Sequence, residues 1–167
     1  MDFTTITSFL KIKYTKDSSL DMWANSEYKW IRDSSTCKKG KIGEDIIKIY
    51  HSTVNDNVHG RFSIENNLVI NESPVEVKLS CLNKSGYFKW LQIRLNDNYD
   101  YLYLLSIYPN DIKMYKIPKL KLIELNNLGI LKNQHGGSRN KYYDIKYLGI
   151  KGNSIPDWLI EYEIKNN

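Results

Sequence analysis

Residues 66–80 read NNLVINESPVEVKLS. Two short apolar runs flank the polar group Asn71, Glu72, Ser73 and Pro74, whose composition is that of a turn between two strands. In a strand, alternate side chains share a face. Val75, Val77, Leu79 and Cys81 then point to one side and can enter a core. Glu76, Lys78 and Ser80 point to the other. Glu76 and Lys78 stand ~6.5 Å apart along such a strand. An acid and an amine so placed are common on wet strand faces, where they form weak surface pairs. They also satisfy a more demanding chemistry. A carboxylate binds a hard cation such as Mg²⁺, and a lysine beside it positions a water or stabilises charge developing on a phosphate.

Outward from this hairpin, GRFSIENNLVINES (60–73) reads as the first strand and PVEVKLSCL (74–82) as the second. Upstream, KIGEDIIKIYHSTV (41–54) has Ile42, Ile46, Ile49 and Tyr50 at helical spacing, with Glu44 and Asp45 expected in its first turn. SSTCKKG (34–40) reads as a loop, being small, polar and ending in Gly. Phe3, Ile6, Phe9 and Leu10 share a helical spacing, and Trp23 and Trp30 are expected to pack over the body. Downstream, GYFKWLQIRL (86–95) reads as a short helix starting after Gly86. YDYLYLLSIY (99–108) is almost continuously apolar, as a strand covered on both faces would be. KMYKIP is a further strand stopped by Pro118, KLKLIELNNLG (119–129) a helix ending at Gly129, and NQHGGSRN (133–140) a loop. KYYDIKYLGI (141–150) is a strand, and SIPDWLIEYEI a last helix with Pro156 near its start. The expected fold is a mixed α/β sheet with helices on both faces.

The chain has 167 residues, enough for one domain with its own core. It carries 24 Lys and Arg against 19 Asp and Glu, a formal net charge of +5, which favours polyanionic partners. Cys37 and Cys81 have no metal-ligand spacing, and Cys81 reads as a small core residue. His51, His59 and His135 have no Cys or second His at ligand spacing, which argues against zinc. The N-terminus lacks the basic start and apolar stretch of a signal peptide. No run approaches the ~18 apolar residues of a membrane span. The expected location is the cytoplasm, with no membrane partner.

VEVKLS, the helix of GKIGEDIIKIY before the hairpin and GYFKWLQIRLNDNYDYLYLLSI after it together resemble the PD-(D/E)xK nuclease superfamily, which includes many type II restriction endonucleases and Holliday-junction resolvases. The resemblance covers roughly residues 38 to 120. It implies a restriction-endonuclease-like fold: a mixed central sheet flanked by helices. It implies Mg²⁺ as cofactor, double-stranded DNA as substrate and a homodimer, since two-fold symmetry suits the cutting of both strands. Glu76 would be the metal-binding acid, Lys78 the catalytic lysine and Glu44 an accessory acid from the helix. Gln92 and Arg94 fall where relatives carry a Gln followed by Ile-Arg before a Tyr-Asp strand, and are taken as DNA-binding. The family's first acid should stand at the start of LVI, where this chain has Asn67. A neutral amide binds Mg²⁺ far less well than a carboxylate. Three explanations stand: Glu65 or Asp56 supplies the acid, the protein has lost catalysis, or an Asp→Asn change has inactivated it while leaving DNA binding. The third is favoured because the rest of the site looks intact.

Lys38, Lys39 and Lys41 offer a patch for the DNA backbone, or are solvated lysines. Arg139, in the Gly-rich stretch HGGSRNK, is a candidate reader of a groove, though Gly-rich segments are more often plain connectors. The function expected is Mg²⁺-dependent hydrolysis of DNA phosphodiester bonds by a type II restriction enzyme. A structure-selective nuclease and a non-catalytic DNA-binding module are the alternatives.

Overall fold

The computed structural model describes residues 21–54, 61–62, 68–134 and 145–165. Helices α1 (Lys29–Arg32) and α2 (Thr36–Val54) lead into strands β1 (Arg61–Phe62), β2 (Leu68–Ile70) and β3 (Ser73–Cys81). Strands β4 (Tyr87–Arg94), β5 (Tyr101–Ile107) and β6 (Ile112–Pro118) follow, then helix α3 (Lys119–Asn127). Strands β7 (Lys132–Asn133) and β8 (Ile145–Lys151), helix α4 (Asp157–Ile160) and strand β9 (Glu163–Ile164) complete the described chain. Phe3, Ile6, Phe9 and Leu10 lie outside the described residues.

The architecture is mixed α/β. Six strands form one sheet in the order β1-β2-β3-β5-β6-β9, and three form a second in the order β4-β8-β7. The hairpin is present from Leu68 onward: Leu68 pairs with Val75 and Ile70 with Ser73. Its two-residue turn is Asn71-Glu72, both at positive φ (50° and 65°), the geometry whose twist suits a tight hairpin. Ser73 and Pro74 already belong to β3. The stretch expected as one strand over 60–73 instead holds β1 and β2, which pair antiparallel through Arg61↔Val69 and Phe62↔Leu68.

β3 then pairs with β5 in parallel, in register from Val75↔Tyr101 to Cys81↔Ile107. A parallel pair needs a crossover, and here the crossover is β4, not the expected helix. Phe88, Trp90 and Ile93 are fully buried while Tyr87, Lys89 and Arg94 are exposed. A bulge between Trp90 and Ile93 interrupts the two-residue period, and that interruption makes the apolar spacing in the sequence resemble a helix.

β5 is buried on both sides, as its composition predicts. On one side Tyr103, Leu105 and Ile107 join Val75, Leu68, Ile70, Trp23, Ile31 and Ile47 in a cluster under α2. On the other, Leu102 and Leu104 join Tyr115 and Ile117 with Phe88, Trp90, Leu148 and Ile150 of the second sheet and Leu122 and Leu125 of α3. The second face is thus covered by a small sheet together with α3 and with α4, whose Leu159 joins the same cluster, and not by helices alone. The Trp90 indole N–H donates to the Leu105 carbonyl at 3.0 Å, tying the two sheets together.

Helix α2 begins earlier than expected. Thr36 to Gly40 are helical, and the Ser35 hydroxyl accepts from the Lys38 amide at 3.4 Å, as an N-cap residue does. Glu44 and Asp45 therefore lie well inside the helix, and its first turn has no acid. Gly43 faces β3 and β5: a Cβ there would meet Val77 Cγ1 at 3.3 Å and Leu79 Cβ at 3.4 Å. The missing side chain lets the helix axis approach the sheet closely. Trp23 packs in the core, whereas Trp30 is 57% exposed. The last helix stops after four residues, because Glu163 and Ile164 are drawn into pairing with Tyr115 and Met114 on β6. No described helix is long and apolar enough to cross a membrane.

Glu72 occupies a left-handed conformation that costs a residue with a Cβ about 1 kcal/mol. Glu72→Gly is expected to raise unfolding stability by about 0.5–1 kcal/mol through relief of that cost, read as a higher urea midpoint at unchanged slope. A lower midpoint would contradict the tight turn.

Candidate active site

The parallel register sets which way β3 side chains point. Glu76 lies beside Leu102, Lys78 beside Leu104 and Ser80 beside Ser106. Val77 and Leu79 pack on the opposite side, against α2. The second sheet closes the far end of the Glu76 face, where the Lys89 amide donates to the Ser80 hydroxyl at 2.9 Å. Exposure grows toward the near end: Ser80 is 7% exposed, the Lys78 side chain 18% and that of Glu76 29%. Glu76 and Lys78 thus stand toward the open end of the face that the second sheet covers.

The Lys78 ammonium contacts Glu76 Oε1 at 2.5 Å. Both groups are more than two-thirds withdrawn from water, so their attraction is screened less than that of an exposed pair. Removing either one would leave the other charged and poorly solvated.

A second group lies on the same side of the sheet. The turn before β5 is fastened to β3 by the Asp100 amide, which donates to the Pro74 carbonyl at 2.8 Å, and to α3 by the Lys119 amide, which donates to the Asp100 carbonyl at 2.9 Å. The Lys119 ammonium donates to the Asp97 carbonyl at 2.5 Å and lies 4.8 Å from the centre of the Tyr99 ring. Tyr99 is 3% exposed and packs among Leu102 and Leu104 on the Glu76 face. Its hydroxyl is buried without a hydrogen-bond partner among the described residues. Burial pushes the Tyr99 phenol well above its ordinary range, and the negative charges of Glu76 and then Asp97 add to the shift. Tyr99 did not stand out in the sequence: it opens an apolar run, and the turn before β5 carries it into the cluster on the Glu76 side of the sheet.

The remaining expected residues are not gathered here. Glu44 belongs to α2, which packs on the Val77 face, the opposite side of the sheet from Glu76. Lys38, Lys39 and Lys41 lie in the first turns of the same helix. Lys39 bears on Cys81 at the other end of β3, five residues from Glu76 or ~16 Å along the strand. Lys41 pairs with Asp45 at 3.5 Å. Gln92 and Arg94 are exposed on β4. Gln92 sits in the bulge at φ 56°, and its amide donates to the Gln134 side-chain carbonyl at 2.7 Å. Asn67 and Arg139, like Glu65, Asp56, His59 and His135, lie outside the described residues. The chain enters β2 at Leu68, beside Val75.

Among the described residues, no three His, Cys, Asp or Glu side chains converge. Glu76 is the acid that β3 offers to Mg²⁺. Mg²⁺ is commonly held by one or two carboxylates together with waters and substrate phosphates. Glu76 meets the lower bound of that requirement, with an ammonium already on one of its oxygens.

His51 near the end of α2 forms a separate polar contact. Its Nε2 lies 2.9 Å from the Tyr103 hydroxyl. Cys81, half-buried against α2, keeps its thiol protonated because burial raises its pKa. Comparison of the chain with protein families, with curated proteins and with solved structures finds no match.

Burial, then the nearby Lys116 charge, lowers the His51 pKa below its ordinary 6.5. A depressed folded pKa stabilises the fold above the ordinary value and withdraws that stability as pH falls through the folded one. Melting temperature is thus expected to fall between pH 7 and pH 5, and to fall less in His51→Gln. Equal falls in the two proteins would show that His51 is not responsible.

Proposed function

We propose that this chain is a Mg²⁺-dependent DNA endonuclease of the PD-(D/E)xK kind, a homodimeric type II restriction enzyme with Asn67 standing where the family's first acid belongs. The observation that carries the reading is the placement of Glu76 and Lys78: one face, one strand, 2.5 Å apart and more than two-thirds withdrawn from water. The hairpin that presents them and the buried strand beside them follow the order of the resemblance. The bridging segment is a strand where the resemblance has a helix.

Glu76 would hold the ion. When bound, Mg²⁺ would act as a Lewis acid on a phosphoryl oxygen of the substrate. Lys78 has two tasks. In the resting site its ammonium neutralises Glu76. With a phosphodiester at the open end of this face, it exchanges the carboxylate for the attacking water or a non-bridging oxygen, where its charge is strongest as the transition state forms. The low dielectric of the half-buried site magnifies both interactions. Cutting of both strands would follow from two copies related by a two-fold axis. The net charge of +5 favours association with the polyanion.

One observation favours a second reading, a DNA-binding module without catalysis: among the described residues no three His, Cys, Asp or Glu side chains gather as metal ligands. One experiment separates the readings. Asn67→Asp protein is incubated with a mixed-sequence plasmid, with Mg²⁺ or with EDTA. Discrete fragments that require Mg²⁺ are expected, and Glu76→Ala or Lys78→Ala in that background should lower the rate by about 100-fold or more. Cutting confined to branched junctions would indicate a structure-selective nuclease. Binding that survives EDTA with no cleavage would sink the enzyme reading.

A further inference from the structure

The solvent side of the second sheet carries charge of one sign. Strands β4, β7 and β8 contain Lys and Arg but no Asp or Glu. Alternation sends Phe88, Trp90, Leu148 and Ile150 into the core and leaves Lys89, Arg94, Lys132 and Lys151 exposed. Elsewhere exposed lysines are matched, Lys29 with Asp33, Lys41 with Asp45 and Lys121 with Glu124. Among the described residues, none of the four cations on this face meets a carboxylate. Cations gathered without anions repel one another and add nothing to the fold. Rings are set among them. Tyr87 pairs across the sheet with Lys151, Lys89 with Gly149 and Tyr147 with Lys132. Directly opposed side chains have Cβ atoms about 5 Å apart, so each ring has a cation at its side. Gly149 carries no side chain, and the Tyr147 ring leans over it, with Cε2 3.6 Å from where a Cβ would stand. The Lys89 ammonium lies 6.0 Å from the centre of that ring, at the outer reach of a cation–π contact. Tyr87 is 42% exposed.

We infer that the outer face of the second sheet binds single-stranded nucleic acid, with phosphates on Lys89, Arg94, Lys132 and Lys151 and bases stacked on Tyr87 and Tyr147. Cations alone would suit any polyanion. The rings narrow the choice. A single strand offers a charged backbone together with bases whose flat faces are free to stack, whereas in a duplex those faces are covered by the neighbouring pairs. Such binding tolerates any sequence, since every base has a π-face. The face also has the form the ligand needs: a sheet holds its outward side chains in fixed rows, so rings and cations keep their spacing before the strand arrives. Glu76 and Lys78 lie on the inner side of this sheet, beside Leu102 and Leu104, which pack against Phe88 and Trp90. The inference therefore does not depend on the chemistry of that pair.

The test measures fluorescence anisotropy of a labelled single-stranded oligonucleotide of mixed sequence, about 16 nucleotides long, titrated with the full chain in EDTA over a range of salt. Binding is expected to weaken with salt at a logarithmic slope of about −3, as four phosphate contacts on a single strand require. Lys89→Glu with Lys151→Glu should weaken it at least about 10-fold, while Lys29→Glu with Lys165→Glu, an equal change in net charge placed elsewhere, should leave it within about 2-fold. Tyr87→Ala and Tyr147→Ala should each cost about 10-fold, and Tyr87→Phe and Tyr147→Phe should keep the affinity, because stacking needs the ring and not the hydroxyl. Glu76→Gln should bind the strand as the unchanged chain does, which separates this surface from the nuclease reading. Melting temperatures confirm that each variant is folded. No binding of the oligonucleotide would overturn the inference. So would charge reversals that weaken binding while Tyr87→Ala and Tyr147→Phe behave alike and leave it unchanged, since the face would then be a contact for any polyanion. Tighter binding to phosphatidylserine vesicles than to the oligonucleotide, lost in the same charge reversals, would assign the face to a lipid surface instead.

Discussion

The parallel pairing of β3 with β5 is the constraint from which the rest of the molecule follows. Seven residue pairs run in register from Val75↔Tyr101 to Cys81↔Ile107. β5 is buried on both faces, so its neighbours must present apolar side chains to α2 on one side and to the second sheet on the other. A shift of one residue would exchange the two faces of β3. Val77 and Leu79 would then turn toward the second sheet, and Glu76 and Lys78 would be forced under Gly43, where even a Cβ on the helix would crowd the strand. Apolar burial on the α2 side thus fixes the direction of the charged pair on the other.

That direction gives the pair its character. At a fully wet position, a lysine and a glutamate two residues apart would contribute little. Beside the second sheet they are partly desolvated, and their strength depends on keeping each other company. Such a pair can be opened by a competitor with more charge or better geometry. On the same side of the sheet, Tyr99 sits on a turn fastened to β3 and to α3, with the Lys119 ammonium at the start of α3 over its ring. The arrangement is rigid in its backbone and adjustable in its side chains, as a site that must exchange partners during work requires.

Much of the fold was legible before the coordinates. The hairpin at residues 66–80 carries its own turn and alternation. β5 is too apolar to be anywhere but the centre. β6 and α3 are separated by Pro118, which sits at the N-cap of the helix. Two elements misled. The start of α2 looks like a loop because Ser, Thr and Gly are poor helix formers, and its stability comes instead from packing against β3. β4 looks like a helix because its bulge breaks the strand period at the point where the eye would confirm it.

The sequence by itself determined that Glu76 and Lys78 share a face, because alternation in a strand is a property of the backbone alone. It also placed an acid, an amine and a turn within a few residues of one another. Only the tertiary structure decided which groups join them. Glu44 and the lysines of α2 are separated from the pair by the sheet itself, while Tyr99 and Lys119 reach the pair's side of the sheet through a strand crossover and a helix start distant in the chain. Spacing along a chain specifies neighbours only within one element. Across elements, the closest packing of apolar faces chooses them, and the polar groups meet wherever that packing leaves room.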